Sequence, residues 1–352
     1  MASKGSKTLR EILTQFKAWE TAIHEMLKQE TFLRQLFRQR GFAEVVFTGC
    51  GSSYYSALTA AAFFQTLTGI RARGVPASEL FFFPSSSLAK HGPILLVAIS
   101  RSGETSETIW AVRTFKERCN GDVLAVSCYE KSTLVAESDL SFIAKEAKEE
   151  SVVQTRSFTT MLLGLELYAG IISRQTDYSD QIKVLPEQGE RIVGNYHDLI
   201  KELSKSDKFD RFVFLGSGPN YGLACEAMLK MKEMTLLPSE AFHFLEFRHG
   251  PITTVDEKTL LVGLLSDSAS DYEMEVIKEV RSLGAKALVF TDRAVRHPVE
   301  YLILLNSGVS ELVRGLLCIP LIQLLACYRA LAQGLDPDSP RYLDAVVKPK
   351  MK

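Results

Sequence analysis

The chain has 352 residues, 46% of them hydrophobic and 24% charged, and a formal net charge of −1. The length suits about two domains, the composition is that of an ordinary globular protein, and the charge balance gives no global attraction to nucleic acid or to an anionic membrane. No apolar run is read as reaching the roughly 18 residues of a membrane span, so neither membrane nor nucleic acid is expected as a partner.

The opening MASKGSKTLREILTQF lacks the apolar core of a secretory signal. A helical pattern runs on from Leu9 through LFRQRG, and residues 1–34 are assigned to an N-terminal helical segment. The first apolar strand begins at Glu44 (EVVFTG) and leads through CGSSY into a helical stretch. A second strand begins at Ile94 (ILLVAI), followed by SRSGETSET and the helix-like SETIWAVRTFKER. A third begins at Val123 (VLAVS). The polar SRQTDYSDQIKVLPEQG is read as a connection. The same order then returns: RFVFLG from Arg211, GSGPNYG and a helix, LLVGLL from Leu260, DYEMEVIKEVRSL, and ALVF from Ala287.

Gly49 and Gly51 answer to Gly216 and Gly218 at an offset of 167, and the next two strand pairs repeat at offsets of 166 and 164. Three strands in the same order at a nearly constant offset point to two copies of one βαβαβ domain. Helices between apolar strands imply parallel sheets covered on both faces. The expected fold is therefore α/β, two flavodoxin-like three-layer α/β/α domains in tandem. The first is placed at 35–175, the second at 195–335, and a C-terminal tail at 336–352. The cysteines, Cys50, Cys119, Cys128, Cys225, Cys318 and Cys327, contain no CxxC pair. They are read as buried reduced thiols of a cytoplasmic protein, with no disulfide framework and no metal site.

The stretch after Ile99 carries five hydroxyls, Ser100, Ser102, Thr105, Ser106 and Thr108, around Gly103. One Ser or Thr would be explained as a helix cap; five are not. At the carboxyl end of a parallel strand, free N–H groups and the helix dipole favour an anion, and small hydroxyls add donors. Ser52 and Ser53, after the first strand, supply a second wall. The second copy has LLSDSASDYE at this place, with Asp267 and Asp271 and no glycine, so only the first copy is expected to hold phosphate. The GxG turns also suggest dinucleotide binding. However, GSGPNYG breaks the required spacing and neither copy has an acid about 20 residues further on, so no cofactor is expected.

CGSSY, SRSGETSET, EESVVQTRSFTT, EAMLKMKEMTLLPSEAFHFLEFRHGP and DPDSPRYL follow one another in this order. As an ordered set they resemble the tandem sugar isomerase (SIS) family, chiefly the isomerase half of glucosamine-6-phosphate synthase and the related glucosamine-6-phosphate deaminases. The resemblance implies that Ser53, Ser100, Arg101, Ser102 and Thr105 hold a sugar phosphate. Ser52 and Gln154 would lie beside the sugar, Gln154 standing where the synthase has serine and Arg101 where it has glutamine. It implies that Glu233 moves the proton between C1 and C2, with Lys230 nearby. Glu226, Lys230 and Glu233 share a helix face by spacing, a pattern that by itself also describes a solvated face of salt bridges. His249, in the turn before Gly250 and Pro251, would open the sugar ring and would be supplied to the neighbouring subunit of a homodimer. His243 is read as structural, and Glu240 as an orienting group.

Two departures from the family bear on function. The synthase's glutaminase part, with its cysteine nucleophile, has no counterpart here, since the first cysteine is Cys50. Glutamine-dependent amination is therefore not expected of this chain alone. The tail lysine of the family is replaced by Ala345, with Lys348 and Lys350 beyond it, so no Schiff base is expected. The implied substrate is a phosphorylated sugar or amino sugar, and the implied reaction is isomerisation or deamination. A fructosamine-6-phosphate deglycase and a non-catalytic sugar-phosphate regulator remain as alternatives. The absence of a helix-turn-helix extension or basic stretch weighs against a DNA-binding regulator.

Overall fold

The apolar runs of the sequence become the central strands of two parallel sheets. The computed structural model describes residues 3–88, 92–295 and 297–344. Thr14–Pro186 form one compact unit, and Glu187–Arg341 with the N-terminal helix Ser6–Leu13 form the other. In the first unit β1 (Glu44–Gly49), β2 (Arg71–Pro76), β3 (Ile94–Ile99), β4 (Gly121–Ser127) and β5 (Leu140–Ile143) lie in the order β2-β1-β3-β4-β5. In the second, β6 (Arg211–Gly216), β7 (Ser239–Phe242), β8 (Thr259–Leu264), β9 (Lys286–Thr291) and β10 (Tyr301–Leu304) repeat that order as β7-β6-β8-β9-β10. All pairings are parallel, and 2-1-3-4-5 is the doubly wound order of flavodoxin. The tandem flavodoxin-like fold read from the sequence is thus the fold observed.

The sheets also correct the strand alignment of the two copies. Glu44 pairs with Ile94 and Arg211 with Thr259, so β3 corresponds to β8 at an offset of 165 rather than 166. One residue matters in a strand, because it exchanges the two faces. In β1, Val46 faces Leu80, Val112 and Phe115 from helices Ala77–Phe82 and Ser106–Arg118. Its neighbour Phe47 faces the other way, against Phe64 of helix Ser52–Thr68, on which Tyr168 of helix Arg156–Ser173 stacks. In the second unit Phe244, Phe247, Ile277 and Val280 cover Val213, Leu261 and Val289.

Three segments differ from the sequence reading. The polar connection is helical, as Thr176–Lys183 and Leu185–Ser204, with Pro186 in the first turn, where its missing N–H costs nothing. The N-terminal segment is divided: Ser6–Leu13 belongs to the second unit, Gln15–Lys28 and Glu30–Arg40 to the first. One stretch, Glu311–Ala332, is after all long and apolar enough to cross a membrane, with a mean hydropathy of 1.7. It is 83% buried inside the protein, as a core helix is. None of the six cysteines is disulfide-bonded; four are buried, while Cys50 and Cys119 are half-buried.

Candidate functional site

In the first unit β1 and β3 are neighbours, but the chain leaves β1 toward one sheet edge and β3 toward the other. Their carboxyl ends therefore open a crevice, the usual ligand position of such sheets. Both hydroxyl-rich loops emerge there. A Cβ on Gly49 would lie 2.7 Å from the Ser53 Cβ and 2.9 Å from the Ile99 oxygen, so glycine lets helix Ser52–Thr68 start directly on the strand ends. Ser52 and Ser53 are both buried in its first turn.

The second loop, Ser100–Thr105, is held by its own hydroxyls. Ser100 Oγ lies 3.0 Å from Thr105 Oγ1 and accepts the Gly103 N–H at 3.1 Å, while Ser102 Oγ accepts the Glu104 N–H at 3.1 Å. Gly103 has φ +65°, a conformation few other residues adopt. The acid within this loop is turned away from it: Glu104 accepts the Thr133 N–H at 2.8 Å and the Thr133 hydroxyl at 2.9 Å. The result is a preformed ring of hydroxyls and N–H groups in front of helix Ser106–Arg118, suited to a small anion. Burial pushes the nearby Cys50 thiol up to about 11, so it stays protonated at neutral pH.

Arg101 is 7% exposed and its guanidinium reaches sideways, to Glu149 at 3.3 Å and the Val152 carbonyl at 2.9 Å. Glu149 also accepts the N–H and hydroxyl of both Thr155 and Ser157 at the start of helix Arg156–Ser173. Between these residues lies Gln154, whose side-chain oxygen is buried without a hydrogen-bond partner. A cavity of about 320 Å³ lined by Arg101, Ser102, Glu104, Tyr129, Lys131 and the 149–152 segment opens beside the cradle.

In the second unit, Glu226, Lys230 and Glu233 lie on helix Asn220–Thr235. Lys230 Nζ is 2.5 Å from Glu233 and 3.5 Å from Glu226. The side chains of Lys230 and Glu226 are 1% and 0% exposed, that of Glu233 16%. This is a buried charge cluster with one carboxylate reaching the surface, not the solvated face that spacing alone allowed. Glu233 also borders a cavity of about 150 Å³ closed by Leu335, Asp336, Ser339 and Arg341. That closing segment is pinned by the N-terminus, since Asp338 accepts N–H bonds from Lys7 and Thr8, and Asp336 one from Gly5. Ala345, Lys348 and Lys350 lie outside the described residues.

His249 is exposed in its turn, next to Gly250 at φ +124°. His243 stacks on Tyr221 with ring centroids 3.8 Å apart, and burial lowers its pKa. The residues sequence reasoning missed are Glu149, the His243–Tyr221 pair and Glu273. Glu273 lies in the second unit's counterpart of the cradle. The Ser266 N–H donates to its carboxylate at 2.7 Å, and burial raises its pKa. Asp267 is meanwhile paired with Arg314 and Arg293. The loop after β8 thus meets an internal carboxylate, which the sequence reading had not foreseen when it excluded phosphate there through Asp267 and Asp271.

Two doubly wound sheets in tandem, with a hydroxyl cradle at one switch point, define a repeated α/β protein built to handle small ligands at strand ends. The chain belongs to the SIS domain family, whose model matches residues 40–170 and 206–296. It is 30% identical to the glutamine–fructose-6-phosphate aminotransferase (isomerizing) of Aliivibrio fischeri, over 85% of this chain and 50% of that protein. The chain spans about half the length of the curated relatives it matches. Among solved structures, a glucosamine-6-phosphate deaminase from Thermotoga maritima is 32% identical, with a TM-score of 0.78 over 97% of this chain and 99% of that one. The C-terminal domain of the Francisella tularensis glucosamine-fructose-6-phosphate aminotransferase is 26% identical, with a TM-score of 0.88 over 96% and 100%.

Proposed function

We propose that this protein is a sugar-phosphate enzyme acting on a 6-phosphorylated amino sugar, as an aldose–ketose isomerase or a deaminase of glucosamine-6-phosphate type. The observation that carries the reading is Glu233, a carboxylate that reaches the surface while a buried ammonium holds it from behind. Enediol chemistry needs one such group to take the proton from C2 and return it to C1. Lys230 orients Glu233 through their ion pair. Ser53, Ser100, Ser102 and Thr105 take the phosphate, and Ser52 and Gln154 the sugar. His249 passes a proton to and from the ring oxygen. Its exposed imidazole, with no hydrogen-bond partner among the described residues, suits a residue supplied to the second subunit of a homodimer. Six cysteines without a disulfide fit a reducing compartment such as the cytoplasm.

Likeness to a named deaminase supports loss of ammonia, and likeness to isomerizing aminotransferases supports ketose–aldose exchange. Incubation with aldose, ketose, amino sugar and fructosamine 6-phosphates separates the outcomes. Ammonia release identifies a deaminase, ketose without ammonia an isomerase, and a free amino acid the deglycase. Binding without turnover of any of them refutes the enzymatic reading.

A further inference from the structure

Arg101 stands in the middle of the cradle loop, where sequence resemblance puts it on the phosphate. Its bonds point elsewhere. Its carbonyl oxygen accepts the Cys128 N–H at 3.0 Å and the Ser127 hydroxyl at 3.2 Å, which fixes it to the end of β4. Its guanidinium reaches on to Glu149 and to the Val152 carbonyl, in the segment that follows β5. One residue thus joins the loops after three adjacent strands. Glu149 is fully buried as a side chain. Its two oxygens accept from Arg101, Thr155 and Ser157, so it caps helix Arg156–Ser173 and neutralises Arg101 together.

A guanidinium committed to a buried carboxylate resists being pulled away, because the carboxylate would be left as a buried charge without it. The cradle also needs no such sacrifice, because hydroxyls and N–H groups already line it. The clamp determines the course of residues 149–155 instead. In that span the Gln154 side-chain oxygen is buried and unpartnered, and a buried acceptor left empty is destabilising. A donor from a ligand, a sugar hydroxyl or ammonium, would remove that cost.

We propose that Arg101 is a positioning residue: it holds the 149–155 segment so that Gln154 accepts a hydrogen bond from the sugar, and it does not bind the phosphate. This rests on the sugar-phosphate reading above and deepens it, because it separates the groups that take the phosphate from those that select the sugar.

The test measures binding of two probes, inorganic phosphate and fructose-6-phosphate, by calorimetry on the full chain. In Arg101→Gln, phosphate affinity should stay within about twofold of wild type, while affinity for the sugar phosphate falls about tenfold, the size of one hydrogen bond lost. Gln154→Ala should give the same pattern, and the double variant should be no weaker than either single one. If Arg101→Gln fails to fold, Arg101→Met with Glu149→Gln removes both charges together and carries the same prediction. A loss of phosphate affinity of about tenfold or more in either Arg101 variant makes Arg101 a phosphate ligand and overturns the proposal, as does additivity of Arg101→Gln and Gln154→Ala. If wild type binds phosphate but no sugar phosphate, the function reading fails while the phosphate arm still decides the role of Arg101. If wild type binds neither probe, both fall.

Discussion

Replacing Lys230 with methionine tests whether its cluster is a buried one. The ammonium lies 2.5 Å from one carboxylate and 3.5 Å from the other. At an effective dielectric constant of about 20 these separations correspond to gross attractions of about 7 and 5 kcal/mol. Most of that is cancelled by taking the three charges out of water. What remains is the asymmetry: Lys230→Met takes its buried ammonium away from Glu226, which is 0% exposed. Such losses cost about 3–5 kcal/mol. A solvated i,i+4 pair would be worth only about 0.3–0.5 kcal/mol, so the two readings differ by nearly tenfold in energy. Urea unfolding at pH 7 measures the difference through the transition midpoint of the second unit. Lys230→Met should lower it by the larger amount, and Glu226→Gln in the same chain should restore much of the loss. A change below about 1 kcal/mol in Lys230→Met would mean that the cluster is solvated, and with it the argument for a held Glu233 would go.

Other outcomes follow from the same geometry. Ser102→Ala with Thr105→Val should weaken sugar-phosphate binding, since hydrogen bonds to a charged group contribute roughly 1.5–3 kcal/mol each; unchanged calorimetric affinity in a folded variant removes the cradle. Glu233→Gln should lower turnover by about 10²–10⁴-fold with binding largely retained, and near-normal turnover would return Glu233 to a structural ion pair. Burial raises the Glu166 carboxyl well above its ordinary value. The folded state then holds a proton that the unfolded state has released, so stability falls as pH rises above the ordinary carboxylate range. Glu166→Gln should flatten that fall and raise the melting temperature at pH 8 more than at pH 5; equal gains at both would show that Glu166 does not titrate between them.

The six central strands could be read from the sequence because parallel strands covered on both faces are continuous apolar runs. Their order and repetition were enough to predict two doubly wound domains. The four strands that went unread, β2, β5, β7 and β10, all lie at sheet edges. Arg71–Pro76 is half-buried along most of its length and carries two arginines, so nothing in its composition separates it from a loop. The cradle was legible for a similar reason: hydroxyls, a glycine and a helix start are neighbours in sequence as well as in space.

Partner choice was not legible. Spacing puts Glu226, Lys230 and Glu233 on one helix face, but only packing decides that the face is buried. Resemblance puts Arg101 beside the phosphate, and only packing shows that its guanidinium bonds Glu149, 48 residues away. Asp267 and Asp271 suggested that the second copy would hold no phosphate, while the residue bonded to its strand-end loop is Glu273. Periodicity and turn chemistry are local properties, and the sequence displays them directly. Desolvation and ion pairing depend on which distant segments come together, and that is decided only when the sheets and helices pack.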